Sequence, residues 1–396
     1  MQTFIQTIEA PKNVRLPDQS GSAGDVLFLD LETTGLSART SSIYLIGCAF
    51  YSEDGRMPCS QESAAHLASP GKSGWYLIQW FDETGTQEPM ILETFLTFSQ
   101  NYRVLIHFNG DRFDVPFLLT RLAKYGLTSP LGRMKSVDLY RMISPYRRLL
   151  SLPDLKQQTV ERFLCTGRTE EKSGREMVQA YRAYLKSPSV EYLDELLLHN
   201  SQDVEGLLSC TRLCALPALF SAKLQVTHAQ ADHYAGYDGS MHDELLLSFT
   251  MNSEDDLTGI FRDAFVLSGD GIFCRIDFAD PEKISGLLKI PLYTEEMKYF
   301  YAGYKDYYYL PAEDQAIHKS IASFVDPKRR VQASAETCYT RKKGSFLPQW
   351  DLLRTPFFKR SYKDPALFFE LTEELKRDRD ALSQYADYVF THLCGG

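Results

Sequence analysis

The chain has 396 residues, 44% of them hydrophobic, and a formal net charge of −9. That length and composition provide for a full hydrophobic core and point to two domains. The acidic balance argues against a protein that passively coats nucleic acid; no apolar run approaches the roughly 20 residues of a bilayer span, and no charged-then-apolar leader opens Met1 to Leu16, so a soluble cytoplasmic protein is expected.

Residues 1–25 read as a polar lead-in with Pro11, Pro17 and a Gly-Ser-Ala-Gly stretch, ordered only where it packs on something. Val26–Leu31 predicts a first strand running into Asp30-Leu-Glu32-Thr33-Thr34-Gly35-Leu36. Alternate strand residues share a face, so Asp30 and Glu32 point the same way, and Gly35 permits the turn that comes next. Paired carboxylates repel unless a cation sits between them, and oxygen ligands suit Mg²⁺ or Mn²⁺. The plain alternative is an acidic strand end facing water.

Ser42–Tyr51 and Trp75–Phe81 predict two further strands around a polar loop at 52–73, the three pairing as an antiparallel meander. Glu88–Ser99 carries helical apolar spacing, Val104–Phe108 is a short buried strand, and Val115–Tyr125 another helix. From Ser136 to Leu216 the pattern is mostly helical, with breaks at Pro145, Pro153, Gly167, Gly174 and Pro188. The eight cysteines sit singly on apolar backgrounds, in a turn (Cys59) or near the C-terminus. Only Cys210 and Cys214 are close, and with no Cys-x-x-Cys they read as reduced thiols rather than zinc ligands.

Phe108-Asn109-Gly110-Asp111-Arg112-Phe113-Asp114-Val115-Pro116 comes after the fourth strand. Asn-Gly marks a turn, and Asp114 stands where an N-cap or a ligand could be. Asp138, ahead of a helical run, reads as an N-cap. Arg133, Lys135, Arg141, Arg147 and Arg148 cluster around it, as a phosphate-holding helix or as a solvated face. His199-Asn200-Ser-Gln-Asp203-Val lies on a strongly helical stretch, with His199 and Asp203 one turn apart on one face, either as a functional pair or as surface stabilisation.

Phe-Leu-Asp-Leu-Glu-Thr-Thr-Gly-Leu, Phe-Asn-Gly-x-x-Phe-Asp-x-Pro and His-Asn-x-x-Asp-Val, in that order, resemble the three motifs of the DEDD (DnaQ-like) 3′–5′ exonucleases, and the third resembles the YprB-like branch. The resemblance covers about residues 26–215. It implies an α/β fold with an RNase H-like mixed sheet, three antiparallel strands then parallel ones, flanked by helices. It selects Asp114 over Asp111, leaving Asp111 as a solvated turn residue. Asp30, Glu32, Asp114 and Asp203 would hold two Mg²⁺ or Mn²⁺ ions about 3.5–4 Å apart, with Asp30 as the bridge. His199 would be the general base, and Thr33, Leu36 and Asn109 would line the slot for a terminal nucleotide. One departure stands out: the better-known histidine class places His five residues before the last Asp, and the tyrosine class places Tyr four before. Here His199 takes the tyrosine spacing, which rotates it by about 100°.

After Pro217 the texture changes. Asp263–Asp277 predicts two strands joined at Gly269-Asp270-Gly271, Lys298–Leu310 carries seven aromatic residues, and Glu370–Leu393 predicts a closing helix. Residues 328–363 hold ten basic positions against two acidic ones, interleaved with Tyr339, Phe346, Trp350, Phe357, Phe358 and Tyr362. That combination suits single-stranded nucleic acid, or equally a sheet with one buried aromatic face and one charged wet face. The expected organisation is a lead-in at 1–25, an RNase H-like exonuclease domain at 26–216 and an aromatic-rich α+β domain at 217–396. The expected substrate is a 3′ end of single-stranded DNA or RNA, with no membrane partner. The alternatives are an RNase H-like binding or partner-docking module without turnover, and a phosphodiesterase acting on a small nucleotide.

Overall fold

The computed structural model describes residues 1–9, 14–17, 21–55, 72–129, 131–169, 172–235, 239–252, 257, 260–261, 264–280 and 283–395. Cys59, Pro11, Asp263 and most of the polar loop lie outside the described residues. The chain divides into two compact units, Met1–Leu219 and Phe220–Gly396.

The first unit is built on a six-stranded sheet: β1 (Gln2–Ile8), β2 (Val26–Thr33), β3 (Ile43–Ser52), β4 (Gly74–Phe81), β5 (Val104–His107) and β6 (Lys135–Asp138), in the spatial order β1-β4-β3-β2-β5-β6. β1 to β4 pair antiparallel, while β2–β5 and β5–β6 are parallel. The meander and the switch to parallel pairing match the expected element order. Two strands depart from it. Gln2–Ile8 carries Thr, Phe and Ile in a β-forming run and finds an edge on β4, so this part of the lead-in is ordered by packing on the sheet. Lys135–Asp138 has only four residues, too few to show a period, and pairing with β5 decides it.

Strand periodicity sorts the two faces. Leu27, Leu29 and Leu31 pack with α1 (Glu88–Ser99) and α2 (Asp114–Lys124) around Trp80, Phe95, Phe98 and Phe117. The intervening positions, Asp30 and Glu32 among them, share the other face with Leu45 and Gly47, and there Tyr44, Leu45 and Phe81 meet Tyr181 and Leu196 of two long helices. Those helices come after two shorter ones, α3 (Leu139–Ile143) and α4 (Gln157–Phe163). α5 (Gly174–Lys186) starts with a capping box in which Ser173 and Glu176 exchange bonds. α6 (Val190–Cys210) is capped by Ser189. Together with the turns after it, Val190–Ser221 is long and apolar enough to cross a bilayer, contrary to the expectation from its sequence. Its apolar residues Leu196, Val204, Leu207 and Leu208 are fully buried in the first unit, so packing explains the composition.

The second unit holds a seven-stranded antiparallel sheet: β7 (Lys223–Ala235), β8 (Met241–Asn252), β9 (Ala264–Gly269), β10 (Ile272–Asp277), β11 (Ser285–Phe300), β15 (Tyr339–Gln349) and β16 (Leu367–Glu370). A small three-stranded sheet joins β12 (Tyr307–Leu310), β13 (Gln315–His318) and β14 (Val331–Gln332). β9 and β10 form the expected hairpin, with Asp270 and Gly271 both at positive φ as a two-residue primed turn requires. The expected closing helix is two pieces, Glu373–Arg377 and Arg379–Leu393, because Asp378 leaves helical geometry to cap the second through Ala381 N–H.

The basic–aromatic tract resolves into a sheet with one packed face. Phe346 and Phe358 are buried with Met297 and Phe368, and the Trp350 ring lies 3.6 Å from that of His392, nearly parallel. Arg341 pairs with Glu296, Lys342 with Glu370, Arg360 with Glu295 and Lys363 with Glu336. Arg360 also covers the Tyr293 and Phe368 rings at 4.7 Å. These rings and charges are engaged within the unit, so the wet-face reading of the tract is the one its packing supports.

Candidate metal centre

Asp30, Gly47 and Gln79 sit directly opposite one another on β2, β3 and β4, a row across three strands. α6 lays Asn200 on that row: its Nδ2 donates to Asp30 Oδ2 at 2.8 Å, and its Oδ1 accepts from Gln79 Nε2 at 2.9 Å. Gln79 Nε2 also donates to the Leu197 carbonyl, so the sheet grips the helix at the ligand-bearing turn. The row tolerates only glycine at its centre, since a Cβ on Gly47 would lie 2.0 Å from Asn200 Oδ1. Gly47→Ala is therefore expected to cost about 2 kcal/mol by overpacking, read as a lowered denaturation midpoint, and to weaken divalent-ion binding by pushing Asn200 off Asp30. Unchanged stability and ion affinity would contradict this packing.

Glu32, two residues along on the same face, is buried. Its Oε2 accepts from the Tyr44 hydroxyl at 3.2 Å, and its Oε1 lies 3.5 Å from His199 Nε2. That nitrogen is also 3.3 Å from Asp203 Oδ2, so the tyrosine-type spacing turns the imidazole into the acidic cluster. The nearest ligand atoms of Glu32, His199 and Asp203 all lie within 4.8 Å of one another. Asp114 enters from the first turn of α2. It is the first helical residue rather than the N-cap, which is Phe113, and its buried carboxylate is held by the Leu31 amide of β2.

Crowding buried carboxylates raises their pKa values. Burial, then the charges of Asp203, Glu32 and Asp114, push Asp30 well above the carboxylate range. Burial raises Glu32 to about 7 against the opposing pull of His199, with Asp203 adding to the rise. Burial likewise raises Asp114 to about 7, with Asp138 and Asp203 contributing. Four acids from β2, α2 and α6 thus feel one another. Hard oxygen donors that repel in this way fit a divalent cation. A cavity of about 550 Å³ opens beside them, lined by Asp30, Asn109, Tyr140, Lys156, Gln157 and Asp203.

Of the slot residues expected from the motifs, Asn109 lines this cavity, at a φ of 58° that its tie to Asp138 supports. Thr33 is buried and donates to the Gly35 carbonyl within its own turn, and Leu36 is exposed at the loop tip. Asp138 caps α3 through Tyr140 N–H and also accepts from the Asn109 and Asp111 amides. Asp111 is more than a solvated turn residue: Ser136 and Arg141 both donate to it and His107 lies close by. This second His–Asp–Asp group, His107, Asp111 and Asp138, spends its acceptors on these bonds and fixes the turn that carries Asn109 and Asp114. Arg141 is thereby committed, and Arg147 donates to the Leu152 and Pro153 carbonyls, so two members of the expected basic cluster serve local structure.

Sequence reasoning missed Gly47, Gln79 and Arg168. The first two carry no motif and are identified only by sheet register. Arg168, in the loop after α4, places Nη1 2.5 Å from Asp203 Oδ1 and 3.2 Å from Glu161 Oε2. Burial works against its charge, yet the Asp203 and Glu161 carboxylates hold its pKa above the ordinary value.

Residues 27–213 match the model of a family described as RNase_H superfamily. No curated protein matches the chain. Among solved structures the chain is similar to the family B DNA polymerase from the hyperthermophilic archaeon Pyrobaculum calidifontis, at 15% identity and a TM-score of 0.33, over 49% of this chain. The match spans 24% of the polymerase's own length. The fold of the first unit is RNase H-like, with helices on both faces of a mixed sheet.

Proposed function

We propose that this RNase H-like unit is a metal-dependent 3′–5′ exonuclease of the DEDD type, hydrolysing phosphodiester bonds of single-stranded DNA or RNA. The observation that carries the reading is the convergence of Asp30, Glu32, Asp114 and Asp203 from three elements beside an open cavity, with burial and the neighbouring charges raising the pKa values of Asp30, Glu32 and Asp114. A binding module gains nothing from such mutual repulsion. Two Mg²⁺ or Mn²⁺ ions bound there would supply a more acidic attacking water and stabilisation of the leaving 3′ oxygen.

The chain's own groups do the rest. The Asn200–Gln79 bridge fixes the Asp30 carboxylate, Tyr44 fixes Glu32, and the Leu31 amide fixes Asp114. The cavity wall at Asn109 and Tyr140 would orient the terminal nucleotide, with Lys156 in the same lining for the phosphate backbone. His199 is the proposed base, its Nε2 taking the proton of the attacking water as the oxygen bonds to phosphorus and the 3′ oxygen departs. The approach of Nε2 to Glu32 and Asp203 also fits a competing role for that atom, as a direct ion ligand whose lone pair is then not open to the proton.

The test of the activity is to incubate 3′- and 5′-labelled single-stranded DNA and RNA with Mn²⁺ or Mg²⁺. Stepwise loss from the 3′ end is expected; intact strands of both kinds would overturn the reading in favour of a binding module. His199→Ala separates the two roles of the imidazole. A base predicts about a 10²-fold slower reaction with an altered pH profile and unchanged ion affinity, whereas a ligand predicts weakened Mn²⁺ binding as well. A rate profile identical to wild type would remove His199 from both.

A further inference from the structure

The segment between β13 and β14 in the second unit leaves in water side chains that a fold ordinarily covers. Ile321, Phe324 and Val331 are 60%, 91% and 51% exposed. They stand on a braced scaffold. The one-turn helix Lys319–Ala322 is capped by the His318 ring, which accepts from the Ser320 N–H. The Phe324 N–H donates to the Ile321 carbonyl at 3.1 Å, and Ser323 Oγ donates to the Ser320 carbonyl at 2.8 Å. Arg330 donates to the Ala322 carbonyl and lies 4.9 Å over the Tyr308 ring, tying the start of β14 to the end of that helix. Gln332 Nε2 then donates to the Tyr307 carbonyl at 2.9 Å and to the Tyr304 carbonyl at 3.2 Å.

The charge around these side chains is mostly of one sign. Residues 315–332 contain Lys319, Lys328, Arg329 and Arg330 against Asp326 alone, in a chain of net charge −9. Asp326 Oδ1 accepts from the Lys328 N–H at 2.9 Å, capping the turn Pro327–Arg329, and Asp306 reaches Lys319 only at 3.8 Å. The exposed Lys328 and Arg329 side chains have no ion-pair partner among the described residues, unlike Arg341, Lys342, Arg360 and Lys363 further along. An aromatic ring held in water beside such cations suits an occupant that alternates flat apolar faces with negative charge. Tyr304, 40% exposed and tied to β14 through Gln332, offers a second ring. We propose that this surface, centred on Phe324, docks single-stranded nucleic acid, a base stacking on the ring and neighbouring phosphates pairing with Lys328 and Arg329. The choice of nucleic acid among anionic partners rests on the function proposed for the first unit. An anionic bilayer would also meet the repulsion of the whole acidic chain, whereas one strand meets this patch alone. The turn is already braced, so docking costs little ordering entropy.

Fluorescence anisotropy of labelled oligo(dT) and oligo(U) with the full-length protein in chelator, where metal-dependent cutting is blocked, reads the affinity. Phe324→Ala is expected to weaken binding by about tenfold. Its melting temperature should stay that of the wild type, because the ring lies in water. Phe324→Tyr is expected to keep most of the affinity. Lys328→Ala/Arg329→Ala is expected to lower the slope of log affinity against log salt by about 1.4. No binding by the wild type, an affinity unchanged in Phe324→Ala, or a salt slope unchanged in the basic double variant would each overturn the proposal. Self-association, or binding to phosphatidylglycerol vesicles, that Phe324→Ala removes while strand affinity is unmoved would give the surface to a second copy or to a membrane instead. The two readings fail separately. Strands left intact with Mn²⁺ would refute the exonuclease reading and leave Phe324-dependent binding in place, whereas shortened strands with binding indifferent to Phe324 would sink this inference alone.

Discussion

Asp30→Asn is expected to abolish metal-dependent strand shortening, by about 10³-fold or more, while making the metal-free protein more stable. Asp30 is buried where the charges of Asp203, Glu32 and Asp114 meet, and burial and those charges push its pKa well above the carboxylate range. An asparagine keeps the shape and still offers an oxygen to Asn200 Nδ2, so the Asp30–Asn200–Gln79 chain survives. What it loses is the negative charge that ion binding needs, and with it the repulsion that strains the ion-free fold. The paired outcome is diagnostic: a variant inactive because it is misfolded would melt lower, not higher. Activity within about tenfold of wild type would show that Asp30 is not a ligand of the reacting centre.

Metal-free stability is expected to fall as pH rises, and divalent ions are expected to reverse that fall. Glu32 and Asp114 titrate near 7 in the fold against ordinary values of 4.5 and 3.8. Groups raised on folding contribute stability that is fully present below their ordinary pKa and lost as pH climbs through the folded value. Glu32 alone corresponds to an upper bound of about 3 kcal/mol, or roughly 6–12 °C in melting temperature for a unit of this size. In chelator, melting should therefore drop between about pH 4.5 and pH 7, the span from the ordinary to the folded value of Glu32. Because ions displace the same protons, Mn²⁺ should raise the melting temperature strongly near pH 8 and little near pH 5.5. A melting temperature flat across that range in chelator would show that the cluster does not hold these protons.

The sequence made some of this structure legible and hid the rest for physical reasons. Asp30 and Glu32 share a face because strand period is two, and the unbroken apolar approach through Val26–Leu29 leaves little doubt of the strand. His199 and Asp203 share a helix face because their spacing is one turn. Asp138 as a cap was readable from its place before a helical run. Arg168 was not: a lone arginine in a loop after a short helix has no period to place it, and its partner Asp203 is distant in sequence. Gly47 and Gln79 acquire meaning only through cross-strand register. In the second unit the alternation of basic and aromatic residues was visible, but which face met the core was decided by partners such as Phe368 and Glu370 that lie beyond the tract.

The Asp30–Asn200 bridge also sets an order in time. Its two ends are separated by 170 residues, and ribosomal synthesis proceeds at about 5–20 residues per second. For roughly the first ten seconds or more after Asp30 is made, the nascent chain carries an acidic strand without Asn200, His199 or Asp203 to complete it. The proposed ion binding and cutting would therefore begin only once α6 has been made and docked against the sheet, switched on by completion of the unit rather than accumulating as it grows.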